Sequence, residues 1–431
     1  MSWKELSVST REFIVARGLS AFSLGIVIIL LNLYFLAIGF DEEFLGLSFA
    51  LFGLGTALSS IPAGYFSDYA GSLSTMIFGE IIMGFGLVSQ ISFSDRDLIL
   101  VAGLVTGIGT SFIAVARQPY VSHISTSKNR HSLFSYSYAV FLVMTVVGNV
   151  FGGLARKLAP SDLLATSYRS ILVIAAFLNL LSAFVLYLSK LGEQRKENSK
   201  SGNQIDKEKS DKDIEVDNSN VENINTKTSA ADLIHVPSYD VESSGSLWSN
   251  VLKFGLVRFI IGIGSGLSIP FLNIYFKNRF DLSTMVIGFI FGIGSLFTAF
   301  IVLKGPKASR KKGIVNVIVL FQLAALPFLV VLSVTQWLML AIVAFWIRGA
   351  LMKTATPLFK AVVMNMIPKE YRGRAASITV TLWHLGRSTG AYFGGKLIVQ
   401  SGFFIPFVTT ALLYGSAALL FYLLFSPPQK R

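Results

Sequence analysis

Residues Gly148-Asn-Val-Phe-Gly152-Gly153 and Gly390-Ala-Tyr-Phe-Gly394-Gly395 are near copies, displaced by 242 positions, and the same displacement carries Arg130 onto Arg372. A second pair of stretches matches at a displacement of 241: Arg17 followed by Asn32, Tyr34 and Phe35, and Arg258 followed by Asn273, Tyr275 and Phe276. Agreement within one residue at separated places marks a duplicated chain. Gly148 with Gly152, and Gly390 with Gly394, have the spacing that lets two helix backbones approach closely, so helix packing is their expected role.

The duplicated unit is a set of membrane-length helices. Apolar stretches of the length needed to cross hydrocarbon occur near 17–39, 44–66, 73–93, 98–118, 133–155 and 169–190, and again near 251–276, 284–303, 313–333, 337–359, 375–398 and 403–425. The predicted fold class is an all-α polytopic membrane protein of twelve spans in two pseudo-symmetric six-helix bundles. Six spans separate the copies, so both start on the same side of the membrane and the repeat is a parallel one. The first span is too long for a signal-peptide core and is read as retained.

Composition agrees. Of 431 residues, 53% are hydrophobic and 14% charged, against roughly a quarter charged in soluble chains, and the mean hydropathy is +0.63. The formal charge of +13 would suggest nucleic acid in a soluble protein, but here the bases flank apolar runs. By the twelve-span count, 26 Lys and Arg fall on the side of both termini, seven on the other and four within the membrane. The positive-inside rule therefore predicts cytoplasmic termini in a plasma (inner) membrane. Cys is absent and the four His have no ligand spacing, so no metal, cofactor or nucleic acid is expected and the chain is read as a monomer in the lipid bilayer. No nucleophile–base pair is visible, so an enzyme is not expected.

Residues 191–246 hold 12 acids and 7 bases with few large apolar side chains. They are expected to form a disordered cytoplasmic linker between bundles at 1–190 and 247–431.

Four motifs carry a resemblance. After the second span stands Gly64-Tyr-Phe-Ser-Asp68-Tyr-Ala-Gly71, and after the eighth Gly305-Pro-Lys-Ala-Ser-Arg310-Lys-Lys-Gly313. After the tenth comes Pro368-Lys-Glu-Tyr-Arg372-Gly-Arg374, and the run Gly148–Gly153 is followed by Tyr168-Arg169. Together these resemble the major facilitator superfamily across all twelve spans. The first motif lacks the family's Arg after Asp68, the second lacks its Asp, and Asn149 stands where span 5 often has Pro. The resemblance implies a secondary transporter working by alternating access, with Gly64, Asp68, Gly71, Arg117, Gly305 and Arg310 as a cytoplasmic gate. Gly103 occupies the place where proton-coupled drug exporters of the family usually carry Arg.

Charges inside hydrocarbon point to the transport path, because each is costly unless it meets a partner or water. Arg348 and Arg387 each lie about twelve residues into their spans, and His384 is three residues before Arg387, on the same helix face. Guanidinium matches carboxylate or phosphate in a bidentate manner, so Arg348, Arg387 and His384 are expected to bind an anionic small-molecule substrate. Asn32, Asn273, Tyr34 and Tyr275 are further candidate substrate contacts, although members two apart on a helix point away from each other. Glu80 and His384 are candidate proton carriers, with an internal ion pair to Arg117 as the alternative for Glu80. Lys353, Arg17 and Arg258 are expected to snorkel towards headgroups. Rival readings are a drug or metabolite exporter with a Phe-rich pocket, and a non-transporting sensor acting through 191–246.

Overall fold

The computed structural model describes residues 6–125, 130–161, 163–210, 247–302, 313–367 and 371–426. The first half contributes α1 (Val8–Ala37), α2 (Glu42–Ala70), α3 (Ser72–Ser92), α4 (Arg96–His123), α5 (Arg130–Gly153) and α6 (Leu164–Ser210). The second contributes α7 (Leu247–Ser268, carried on by Leu272–Phe280), α8 (Thr284–Val302) and α9 (Ile314–Val334). It ends with α10 (Leu338–Met366), α11 (Arg372–Ser401) and α12 (Phe404–Phe425).

Among the described residues, eleven helices are long and apolar enough to cross a membrane. The exception is α11, which has length in excess but carries His384, Arg387 and Lys396 among Gly, Ser and Thr. It tolerates that polarity because α7 packs against it within its own half and α2 packs against it from the other half. Elsewhere large apolar side chains such as Phe177 and Leu423 stand outward, as a lipid solvent requires. Local capping sets several boundaries. Asp41 Oδ1 accepts from Phe44 N at 2.8 Å to start α2, and Asp95 Oδ1 accepts from Leu98 N at 3.0 Å to start α4.

Helix neighbours repeat after six helices. In the first half α1 packs on α5 and α6, α3 on α4 and α6, and α2 on α4. In the second α7 packs on α11 and α12, α9 on α10 and α12, and α8 on α10. The halves meet through α2 with α11 and through α5 with α8, which exchange under the same operation. The duplication thus reaches detail. Gly71 and Gly313, 242 apart, both take positive φ (85° and 81°) to start α3 and α9, a conformation that glycine adopts without steric cost.

One element breaks the symmetry. Pro270 lacks the N–H that a continuous helix needs, and α7 passes through a 3-10 turn at Ile269–Phe271 where α1 runs unbroken. The expected linker also departs from the sequence reading. Helix α6 continues to Ser210, so residues 191–210 are helical, consistent with the helix-forming Glu, Gln, Lys and Arg there. Residues 211–246 lie outside the described residues.

Candidate functional site

The end of the bundle that carries the N terminus (the terminal end, below) and the opposite, far end differ in how the halves meet. At the far end Gly46 of α2 lies against Gly395 of α11, and Gly153 of α5 against Gly288 of α8. A side chain at any of these positions would strike the facing backbone. Tyr168 Oη and Thr284 Oγ1 lie 2.7 Å apart, Asn278 Nδ2 donates to Glu42 Oε1 at 3.1 Å, and Lys396 meets Glu43 at 3.8 Å. Along α2 the contact with α11 continues through Ser388 Oγ donating to Ala50 O at 2.7 Å and through Ser60 against Thr381 at 3.0 Å. One turn further, a Cβ on Gly64 would meet nothing, and Tyr65 and Tyr69 are exposed. Among the described residues, the contacts between the halves concentrate at the far end and thin out beyond Ser60 and Thr381.

Asn32 and Asn273, read as substrate contacts, close the far end instead. Asn32 Nδ2 donates to Asn273 Oδ1 at 3.0 Å and to Pro270 O at 2.9 Å, while Asn273 Nδ2 donates to Ile29 O at 3.1 Å. Ile29 and Pro270 are themselves 241 apart, so each amide caps the equivalent carbonyl of the other half. Both side chains are almost fully buried, at 4% and 2% exposure. Tyr34 and Tyr275 are buried as well, at 4% and 1% exposure. Their hydroxyls donate to Ile91 O at 3.1 Å and Leu332 O at 2.8 Å, equivalent carbonyls at the ends of α3 and α9.

The second half holds a basic cluster. Arg348 on α10 is 6% exposed and donates from Nη2 to Tyr414 Oη of α12 at 3.2 Å, while its Nε has no partner. Arg387 and Arg258 lie 5.5 and 5.3 Å from the same ring, Trp383 of α11, and Arg258 also covers Phe359 at 5.5 Å. Tyr414 interacts electrostatically with all three guanidiniums. His384 packs edge-on against Trp383 at 4.7 Å, feels Arg387 and Arg258, and leaves Nδ1 unpartnered. Lys353 is exposed yet close enough to feel Arg348. A Cβ on Gly349, beside Arg348, would meet open space.

The first half carries the related arrangement with an acid among its cations. Arg17 sits 4.0 Å from the Phe141 ring, and Phe141 and Trp383 are 242 apart, so the cation–ring pair is duplicated. Glu80 of α3, 2% exposed, interacts with both Arg17 and Arg117 and faces the hydroxyls of Ser20 and Ser182, with Oε2 unpartnered. Among the described residues no ion pair within 4 Å joins Glu80 to either cation; Arg17 and Arg117 act on it as an electrostatic neighbourhood.

Two expectations change. Arg17 and Arg258 do not snorkel: α1 starts at Val8 and α7 at Leu247, which places them nine and eleven residues, about 13 and 16 Å, inside their helices. The signal available in sequence was their shared 241 displacement. Asp68, at the open terminal end, is exposed, and Arg117 faces Glu80 instead. Gly71 serves as the turn into α3. Gly305 and Arg310 lie outside the described residues. Gly148, Gly152, Gly390 and Gly394 pack as expected, against Phe22, Ile26, Ile263 and Leu267 respectively, pairs that are again 241 apart.

A duplicated twelve-helix membrane bundle, closed at one end and carrying ionised groups midway, is a secondary transporter. The profile of the Major Facilitator Superfamily matches residues 13–391, and the chain belongs to that superfamily. Among solved structures it is similar to a bacterial homolog of the human lysosomal transporter Spinster in its inward-facing and occupied conformation. The TM-score is 0.70 at 14% identity, over 96% of this chain and 95% of that one. It is similar also to the nucleoside transporter NupG (0.68, 12%, 98% and 100%) and to a D-xylose-proton symporter (0.68, 13%, 96% and 97%). No curated protein sequence matches.

Proposed function

We propose that this transporter carries a small organic anion by alternating access, binding it at Arg348, Arg387 and His384 with Arg258 beside them. The observation that carries this reading is the uncompensated charge of the second half. Between Asp281 and Glu370 the sequence contains no acid, and Asp281 is paired with Lys277 at 3.1 Å at the far end. Aromatic faces offer a cation roughly 0.5–2 kcal/mol, while the effective penalty for burying one is several kcal/mol. Water or a ligand must supply the difference. The same excess charge disfavours the rival drug-exporter reading, since lipophilic cations would be repelled.

Proton coupling is the further part of the proposal, with Glu80 as carrier, set between Arg17 and Arg117, and His384 as the second candidate. Asp68, with Arg310, is the proposed gate of the terminal end. The proposed orientation puts both termini and the 191–246 segment that joins the bundles in the cytoplasm, and the chain works as a monomer in the plasma membrane. The test is ligand-induced thermal stabilisation of the purified protein by panels of organic anions and lipophilic cations, repeated on R348Q and R387Q. Stabilisation by anions that disappears in both variants is expected. Equal anion responses in wild type and variants would remove the assignment.

A further inference from the structure

Resting on that anion reading, we propose that the cargo bears at least two negative charges, as in a phosphate monoester or a dicarboxylate, and that Arg258 is the residue that selects for the second charge.

The argument is a comparison of two related sites in one molecule. In the first half, Arg17 and Arg117 both lie within electrostatic reach of the Glu80 carboxylate, leaving one net positive charge. In the second half, the residue 242 positions after Glu80 is Gln322, and the residue 242 after Arg117 is Phe359. The acid has been replaced by a neutral amide, also buried, and three guanidiniums surround Trp383 and Tyr414. Their protein partners are all neutral: Tyr414 Oη for Arg348, the Trp383 ring for Arg387, and the rings of Trp383 and Phe359 for Arg258. A single negative charge would leave two of the three unmatched, whereas a dianion leaves one.

Geometry gives the two charges two places. Arg258 and Arg387 both lie within 5.5 Å of one indole, so one end of a ligand beside Trp383 can reach both. Arg348 comes from α10, has its planar fork fixed at one nitrogen by Tyr414, and keeps Nε free though buried. A guanidinium held in this way accepts a carboxylate or phosphoryl group with little further loss of freedom. His384 Nδ1, also unpartnered, adds a polar contact on the Arg387 side. Access exists: Arg258, Trp383, His384 and Arg387 are all partly exposed, although α11 is packed by α7 and α2 on two sides.

The test uses full-length purified protein at pH 8 and constant ionic strength, with matched pairs of probes. Succinate is compared with butyrate, and methyl phosphate with dimethyl phosphate. Half-maximal thermal stabilisation is expected at a concentration at least tenfold lower for the dianion of each pair. In R258Q the preference should shrink to within about twofold while R348Q abolishes both responses. R258K retains the charge and should keep part of the preference, so a folding defect in R258Q does not obscure the outcome. A short-chain phosphatidic acid, compared with methyl phosphate, separates a lipid-borne monoester from a free one. Equal response to mono- and dianions would overturn the proposal and leave the anion reading standing. No response to either dianion would also overturn it. Stabilisation by tetraphenylphosphonium with none by any anion would remove both.

Discussion

Asn32 and Asn273 show how a single residue type acts twice through symmetry. Each amide donates to the other half and neither is charged, so the contact can part when water enters without leaving a buried ion. Removing one amide strands the buried carbonyl that it served, a loss of about 1–3 kcal/mol. N273A should therefore shift the balance between far-end-closed and far-end-open states by roughly fivefold or more. The absence of native Cys permits a direct check by spin labels at S94C and Q336C, on exposed far-end loops of opposite halves. Longer distances are expected in the variant; an unchanged distribution would show that the clasp has no influence on conformation. A second residue-scale expectation concerns Glu80. Among the described residues it is the only carboxylate that acts on Arg17 and Arg117, so E80L should lower stability by about 1–3 kcal/mol through the uncompensated cations left behind. A melting-temperature cycle of E80Q, R117Q and the double variant should show coupling above about 0.5 kcal/mol. Additive effects would mean that the two groups do not interact.

At the scale of helices, glycine contacts fall into two classes that sequence cannot separate. Gly390 lies against Ile263 of α7 within one half, whereas Gly395, five residues on, lies against Glu42 and Gly46 of α2 across the halves. Added volume at the first site must push apart helices that stay together in every state, at about 1–3 kcal/mol or more. G390L should accordingly lower the melting temperature and the yield of folded protein. Added volume at the second site need only part the far end, so G395L should melt close to wild type while its S94C/Q336C distances lengthen. Identical behaviour of the two variants would contradict the division. The polarity of α11 follows from its position. A helix shielded by α7 and α2 can carry Trp383, His384 and Arg387 where a lipid-facing helix could not.

At the scale of the molecule, the two halves are held by α2 with α11 and α5 with α8, and by the far-end clasp, without any need for the chain that joins them. A site-specific protease sequence inserted within 211–246 should, after cleavage, leave two fragments that co-elute in mild detergent. Separate elution would show that the covalent link holds the halves together. The wide range of cargo among proteins with this fold, from a nucleoside transporter to a D-xylose-proton symporter, means that the bundle itself does not choose a substrate. In the proposed reading, that choice rests on the side chains that project from α7, α10, α11 and α12.

The sequence by itself determined the twelve helices, the duplication and the glycine packing positions. Each is written in local quantities: the length of an apolar run, a displacement of 241 or 242, the spacing of two glycines. The proposed site residues Arg348 and Arg387 were legible too, because a charge within hydrocarbon stands out wherever it points, and His384 by its place three residues before Arg387. Only the tertiary structure decided that Asn32 and Asn273 clasp each other, that Tyr34 and Tyr275 tie α1 and α7 to α3 and α9, and that Arg258 and Arg17 turn inward. A polar side chain reads the same in sequence whether it faces cavity, neighbouring helix or the opposite half. Which of these it meets depends on the rotation of each helix about its own axis, and that is set by packing against residues from distant parts of the chain.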